Sequence, residues 1–354
     1  MKILLFCENK YAIDILNPIQ EYVTDNHLPH EVLWYIHEKK IDAFAYADKV
    51  RWTKSIQEAY DFSPEAIFVP GNIVPYYLPG VKIQVFHGYA AEKKDHWIIR
   101  RYFDTYFTQG PYFTSHFKAL AQKYGDFEVV ETGWPKQDWI KKNLHRYDDE
   151  KQALLEKSGK QTIILYAPTF SPKLTSLPLP DMKEQLERLA HERNALILMK
   201  FHPLTRQEWA DEYKVWAENH DDIIYIDKGE NVTKYQLMSD VLISDTSSTI
   251  YEFLLLSRPV ITIGTLSKEI YWEDIDSPET LLRAYDHALT DPEAIARRQW
   301  IVDNYDPYLD GHVCERMLNA AADYIRRHGV PAKRHLNLWR KYTSIKTFGK
   351  VRKR

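Results

Sequence analysis

Asp240-Val241-Leu242-Ile243-Ser244-Asp245-Thr246-Ser247-Ser248-Thr249-Ile250-Tyr251-Glu252-Phe253-Leu254-Leu255 runs from an apolar, β-branched stretch through short hydroxyl side chains into a segment with helical spacing. Strand, tight turn and helix in that order make half of a βαβ unit. Where the helix begins, hydroxyls and free backbone amides form an anion site. Glu252 lies one turn in from Ser248 and is placed to accept ribose hydroxyls. The same residues also fit plain capping, because Thr249 and Glu252 match a capping box.

Outward from this segment the alternation continues along the chain. Lys2–Phe6, Glu31–Tyr35, Ala66–Val69, Ile83–Phe86, Tyr106–Thr108 and Glu128–Glu131 read as strands, with helical stretches at Tyr11–Thr24, Lys54–Tyr60 and Pro111–Lys123. A polar, charged connection follows Gly133-Trp134-Pro135 and lasts to about Lys160. Beyond it come strands at Thr162–Ala167, Leu196–Lys200, Ile223–Ile226, Val241–Ser244 and Val260–Ile263. Helices fill Asp181–Arg193, Gln207–Asn219, Ser247–Ser257, Pro278–Leu289 and Gly311–Arg327. Such alternation predicts two successive doubly wound α/β domains, at 1–150 and 151–330.

The composition fits a folded, water-soluble chain. Hydrophobic residues are 44% and charged residues 27% of the 354, which excludes disorder. No apolar run approaches the ~20 residues of a membrane span, and the opening run meets Glu8 too early for a secretory signal. Two cysteines, Cys7 and Cys314, make no disulfide framework, so a reducing cytoplasm is expected. The last 22 residues hold nine Lys/Arg and no Asp or Glu, so a total of −3 leaves about −12 on residues 1–332. An acidic body argues against nucleic acid as a partner. In the tail, 331–354, Leu338, Tyr342, Ile345 and Phe348 recur every three or four residues beside Trp339. That is the pattern of a basic amphipathic helix on an anionic membrane surface, with a disordered solubilising tail as the plainer reading.

Ligands of open α/β sheets bind beyond the carboxyl ends of strands. His87 follows a strand and precedes Gly88, where an imidazole suits general-base work. His202, between Lys200-Phe201 and Pro203, is placed to donate to phosphate oxygens. Each histidine is also an ordinary loop residue by position alone. Lys93, Lys94, Lys136 and Arg258 are basic side chains able to face a phosphorylated ligand or simply water. Glycine patterns for a dinucleotide fingerprint or P-loop, CxxC, HExxH and GxSxG are all missing. Asp274-Ile275-Asp276 matches a common metal-binding tripeptide too short to be specific.

In order, these junctions resemble the CDP-glycerol glycerophosphotransferase family, the teichoic-acid polymerases, primases and related capsule enzymes. The resemblance rests on His87-Gly88, Gly133-Trp134-Pro135-Lys136-Gln137-Asp138, Tyr166-Ala167-Pro168-Thr169-Phe170 and His202-Pro203. It continues through Asp240–Ser248, Arg258-Pro259-Val260 and Asp310-Gly311, and spans about residues 80–325.

This resemblance implies a GT-B fold, two Rossmann-like domains facing a central cleft, here with the basic tail added. It also implies no cofactor and no bound metal. The donor would be CDP-glycerol or another CDP-polyol, bound by Thr169, Thr246, Ser247, Ser248, Glu252, Asp310 and Gly311. His87 would deprotonate a hydroxyl of a lipid-linked or polysaccharide acceptor, and His202 would stabilise the leaving pyrophosphate charge as CMP departs. The enzyme would work in the cytoplasm, peripheral at the inner face of the plasma membrane. Beside the expected ligands, this chain has Tyr89-Ala90 where the family pattern has Thr-Pro, and Thr246 where it has Tyr. CDP-ribitol, another CDP-alcohol or a nucleotide sugar therefore stay open as donors. A GT-B glycosyltransferase and a catalytically silent nucleotide- or lipid-binding scaffold remain the alternatives.

Overall fold

A computed structural model describes residues 1–41, 43–89, 91, 94–170, 182–331, 334 and 336–352. The chain divides into two compact units, Met1–Lys142 with Tyr305–Arg354, and Asn143–Asn304.

The first unit is built on β1 (Lys2–Cys7), β2 (Glu31–Ile36), β3 (Trp52–Thr53), β4 (Ala66–Val69), β5 (Val81–Gln84), β6 (Thr105–Thr108) and β7 (Glu128–Glu131). They pair in parallel in the order β3-β2-β1-β4-β5-β6-β7. Every residue of β4 and β5 is buried, as expected when helices cover both faces of a parallel sheet. The helices between strands include α1 (Tyr11–Asp25), α2 (Ile56–Asp61), α3 (Pro111–Tyr124) and α4 (Lys136–Asn143). Proline at the first turn of α3 and Gly125 at its end, φ +69°, are the start and stop its sequence prescribes. Sequence order reverses between β1 and β4, so their carboxyl ends flank a switch-point crevice.

The second unit opens with α5 (Asp148–Ser158) and carries β8 (Thr162–Tyr166), β9 (Ala195–Lys200), β10 (Ile223–Ile226), β11 (Val241–Ser244), β12 (Val260–Ile263) and β13 (Glu273–Ile275). All pairs are parallel in the order β10-β9-β8-β11-β12-β13, with the switch point between β8 and β11. Around it lie α6 (Lys183–Glu192), α7 (Gln207–Ala217), α8 (Val232–Met238), α9 (Thr249–Leu254), α10 (Leu281–Thr290) and α11 (Pro292–Tyr305). The short edge strands β3 and β13 were not expected from the sequence. α9 is shorter than the expected Ser247–Ser257. Ser257 adopts φ +58°, ahead of Arg258 and of Pro259, which disfavours helix at the residue before it.

The final helices, α12 (Val313–His328) and α13 (Leu338–Phe348), return to the first unit. The expected boundaries, 151–330 for the second domain and 331–354 for a separate tail, differ from this. Asp138 accepts the backbone amides of Val313 (2.9 Å) and Cys314 (2.7 Å), capping α12. Arg327 pairs with Glu128 across 2.9 Å. At Gly133, φ +87°, a Cβ would stand 2.8 Å from the Val313 side chain and 2.9 Å from that of Tyr308, so only glycine permits the approach. Arg334 forks onto the buried Asp104 at 2.7 and 2.6 Å.

α13 is therefore a docked helix. Phe348 is buried against the rings of Phe6, Tyr35 and His37, and the Ser344 hydroxyl accepts the Tyr76 amide at 3.3 Å. Leu338, Trp339 and Tyr342 are exposed. The periodic apolar stripe is thus split between the core of the first unit and the surface. Among the described residues no helix is long and apolar enough to cross a membrane.

Candidate active site

In the first unit His87 stands at the rim beyond β5, its side chain exposed between a buried Phe86 and Gly88. Both neighbours have positive φ, +60° and +146°. For a bulky residue such as Phe86 this is a strained conformation, of the kind found where a side chain must be aimed. The carbonyls on either side of His87 are held from the interior. Trp134 Nε1 donates to that of Phe86 (3.4 Å), and Gln109 Nε2 to that of Gly88 (2.9 Å). The Nδ1 of His87 lies 3.3 Å from the carbonyl oxygen of Pro70. A carbonyl only accepts, so the neutral ring carries its proton on Nδ1 and its lone pair on Nε2.

Behind this loop lies a buried network. Asp306 Oδ2 accepts from the Tyr89 hydroxyl (2.7 Å) and the Trp134 amide (3.0 Å), and Gln137 donates to the Tyr89 oxygen at 3.1 Å. Burial pushes the Asp306 carboxyl up to about 7, against the lowering effect of these donors. Tyr89 accordingly points inward. Its departure from the family pattern changes internal packing rather than a ligand contact.

In the second unit the loops after β8 and β11 meet at the switch point. Asp245, 4% exposed, accepts the Thr169 amide with both oxygens (2.9 and 3.0 Å) and the Thr246 amide at 2.6 Å. Burial raises its carboxyl to about 6. Ser244 reinforces the junction by donating to the Ala167 carbonyl at 2.8 Å. The Thr169 hydroxyl is buried and has no partner among the described residues. Thr246 turns its oxygen to the Leu266 amide (3.0 Å), which ties in the loop after β12. Ser247, Ser248 and Glu252 are half-buried. The capping box does not form. Ser248 is the N-cap residue but makes no side-chain cap bond, and Ser247 Oγ accepts the Thr249 amide at 3.2 Å. With only six residues in α9, hydroxyls and amides outweigh any macrodipole here.

His202 follows β9. Its Nδ1 accepts the Leu204 amide at 3.1 Å, which places the neutral ring's proton on Nε2. Phe170 stacks on the ring at 4.5 Å. Desolvation, with the Lys200 ammonium behind it, lowers the imidazole below its ordinary value. The Nδ1 contacts of His87 and His202 thus call for opposite tautomers of the two neutral rings.

A model of CDP-glycerol:poly(glycerophosphate) glycerophosphotransferases matches residues 74–322. The chain belongs to this family. It is 28% identical to the teichoic acid ribitol-phosphate polymerase TarK of Staphylococcus aureus over 211 residues, covering 55% of this chain and 39% of TarK. The first curated relatives are longer proteins, and the chain spans about a third to a half of their lengths. Among solved structures it resembles the wall teichoic acid polymerase TagF, with a TM-score of 0.64 at 19% identity over 92% of this chain and 89% of that one. It also resembles the UDP complex of Staphylococcus aureus MnaA, with a TM-score of 0.67 at 14% identity over 92% and 97%. These likenesses cover both units and give the GT-B class expected from the sequence, two Rossmann-like domains in one chain.

Several residues of the family pattern serve architecture. Arg258 donates to the carbonyls of Gln236 (2.9 Å), Leu237 (2.8 Å) and Ser239 (2.6 Å), closing the C-terminal end of α8. Asp310 and Gly311 belong to the first unit, and Ser247 and Ser248 to the second. Asp310 is bound by Arg316 (2.7 Å) and by the His312 amide (3.0 Å), and Gly311 makes the turn at φ +81°. Lys136 lies over the Trp134 ring at 5.8 Å, and Lys94 opens a short 3-10 turn. Lys93 lies outside the described residues. Asp274 accepts from the Thr262 hydroxyl (2.6 Å) and the Thr265 amide (3.1 Å), as a strand-end anchor. Gln109, Asp245 and Asp306 escaped the reading of the sequence. Asp245 stood inside a quoted motif, whereas Gln109 carried no local signal.

Proposed function

We propose that the chain transfers a polyol phosphate, glycerol phosphate first among the choices, from a CDP-activated donor to a hydroxyl of a cell-surface polymer precursor. The observation that carries this reading is the pair of Nδ1 contacts, His87 against a carbonyl and His202 under an amide, which call for opposite neutral tautomers. His87 Nε2, with its lone pair, takes the proton of the acceptor hydroxyl as oxygen bonds to the β-phosphorus. The bond from that phosphorus to the CMP oxygen breaks, and the electron pair leaves with CMP. His202 Nε2–H donates to the pyrophosphate oxygen where charge accumulates. Ser247, Ser248 and the unpartnered Thr169 hydroxyl bind the donor phosphates, and Glu252 takes the ribose. Because phosphoryl transfer is mostly positioning and electrostatics, neither a metal nor a cofactor is assigned to the protein.

On this reading the first domain binds the acceptor and the second the donor. Exposed Leu338, Trp339 and Tyr342 on α13, with Lys341, Lys346, Lys350 and Arg352 nearby, bring the enzyme to the anionic inner face of the plasma membrane.

Calorimetric titration with CDP-glycerol, CDP-ribitol, CMP, UDP-glucose and UDP tests the donor. Tighter binding of a CDP-polyol than of CMP or either uridine ligand is expected. Ser247→Ala with Ser248→Ala should weaken it by about tenfold or more, the worth of one or two charged hydrogen bonds. A uridine preference would move the chain to the sugar transferases, and no nucleotide binding would leave the scaffold reading.

A further inference from the structure

The switch-point crevice of the first domain holds a carboxylate that no motif marks. Glu8 follows β1 and is 8% exposed. Its Oε1 is held by Lys40 Nζ at 2.8 Å, which balances the charge, whereas Oε2 accepts no hydrogen bond among the described residues. Facing it is Gly71, just beyond β4. A Cβ at that glycine would stand 2.6 Å from Glu8 Oε2 and 3.7 Å from the Tyr11 hydroxyl. Glu8 Oε2 therefore packs against the face of Gly71, an approach that any side chain at that position would displace.

His87 reaches the same place from β5. Its Nδ1 lies against the carbonyl of Pro70, the residue before Gly71, and its ring centroid is 5.4 Å from that of Tyr11. Side chains from three strand ends thus converge on Pro70-Gly71: Glu8 from β1, Lys40 from the loop after β2, and His87 from β5. Sheets of this kind bind their ligands at such a crevice.

We infer that Glu8 Oε2 binds one hydroxyl of a polyol terminus and so presents the neighbouring hydroxyl to His87. The ligand class is a vicinal diol next to a phosphate, and Glu8 contributes specificity for the acceptor. This inference rests on the acceptor role proposed for the first domain. A carboxylate oxygen that the described residues leave without a donor can accept one from a ligand; a diol hydroxyl supplies it, whereas a simple alkyl phosphate does not.

The test is a ligand-observed NMR titration of the full chain with glycerol 3-phosphate and, separately, ethyl phosphate. Glycerol 3-phosphate should bind on the order of tenfold more tightly. In Glu8→Gln, Lys40 keeps the amide oxygen at the Oε1 position, so a neutral NH2 replaces the charged acceptor, the diol hydroxyl can only accept from it, and the preference should fall severalfold. Gly71→Ala displaces Oε2 and should do the same, and the isosteric Glu8→Gln decides the matter alone if Gly71→Ala fails to fold. CDP-glycerol affinity should be unchanged in both variants. Equal affinities for the two phosphates in the parent chain overturn the inference, as does a preference undiminished in Glu8→Gln. Absence of CDP-glycerol binding in the parent chain would sink the donor assignment and leave the diol preference to stand on its own measurement.

Discussion

The Nδ1 of His87 lies 3.3 Å from the carbonyl oxygen of Pro70. That contact joins the end of β4 to the residue after a strained Phe86, and it sets which nitrogen is basic. The carbonyls of Phe86 and Gly88 are anchored by Trp134 and Gln109. As the proposed base, His87 would thus be positioned before an acceptor arrives, which is where the catalytic advantage of a fixed geometry originates.

His87→Ala should abolish turnover, by about a hundredfold or more for a lost general base, and leave the CDP-glycerol dissociation constant near that of the parent. Rate assays beside calorimetry check this. Lost binding with turnover intact would remove His87 from the base role.

His202 is expected to act as a neutral donor. Nitrogen-15 NMR should find its proton on Nε2 and that of His87 on Nδ1. Because burial and Lys200 lower its pKa, protonation of His202 should affect the rate only below the ordinary histidine range. His202→Ala should cost on the order of a hundredfold in kcat, with partial rescue in His202→Gln, whose amide can still donate. Equal losses in both variants would argue against a donor role.

Asp306 makes stability depend on pH. Its carboxyl is raised in the folded state to about 7, so between roughly pH 4 and pH 7 the folded chain holds a proton that the unfolded chain releases. Stability from this group is complete at the acid end and lost as pH rises through that window, at most about 1.4 kcal/mol per pH unit. Asp245, raised to about 6, acts in the same direction. Urea denaturation at several pH values should show a shallower decline for Asp306→Asn than for the parent. An identical slope would refute the assignment.

Because α13 is docked, the proposed membrane binding can be tested apart from folding. Leu338→Ser with Trp339→Ser and Tyr342→Ser alters exposed residues only and should release the protein from anionic vesicles at unchanged melting temperature. Phe348→Ala should instead destabilise the first domain by about 3 kcal/mol, as a buried aromatic truncation. Vesicle binding that survives the triple substitution would end the membrane reading of the helix.

The alternation of strands and helices was legible in the sequence because burial on both faces of a parallel sheet leaves short apolar runs, and Ala66–Val69 and Val260–Ile263 were read with the bounds they have. The strand after Gly80 was not. It ends at Gln84 instead of Phe86, because Phe86 leaves the extended region to aim His87. The histidines themselves were legible as residues that follow strands, and their tautomers were not, since each depends on one backbone group placed by folding.

The sequence by itself determined the central strands and many of the longer helices, the two-domain class and the family, all of which rest on local burial periodicity and ordered motifs. Only the tertiary structure decided which motif residues stay exposed and which turn inward as framework. Asp306 meets Tyr89 across 217 positions and Asp138 meets the start of α12 across 175. Arg258 closes a helix that ends 20 residues earlier. A carboxylate or guanidinium reads alike in sequence whether it awaits a ligand or holds the chain together. The difference lies in long-range hydrogen-bond partners, which exist only once the chain has folded.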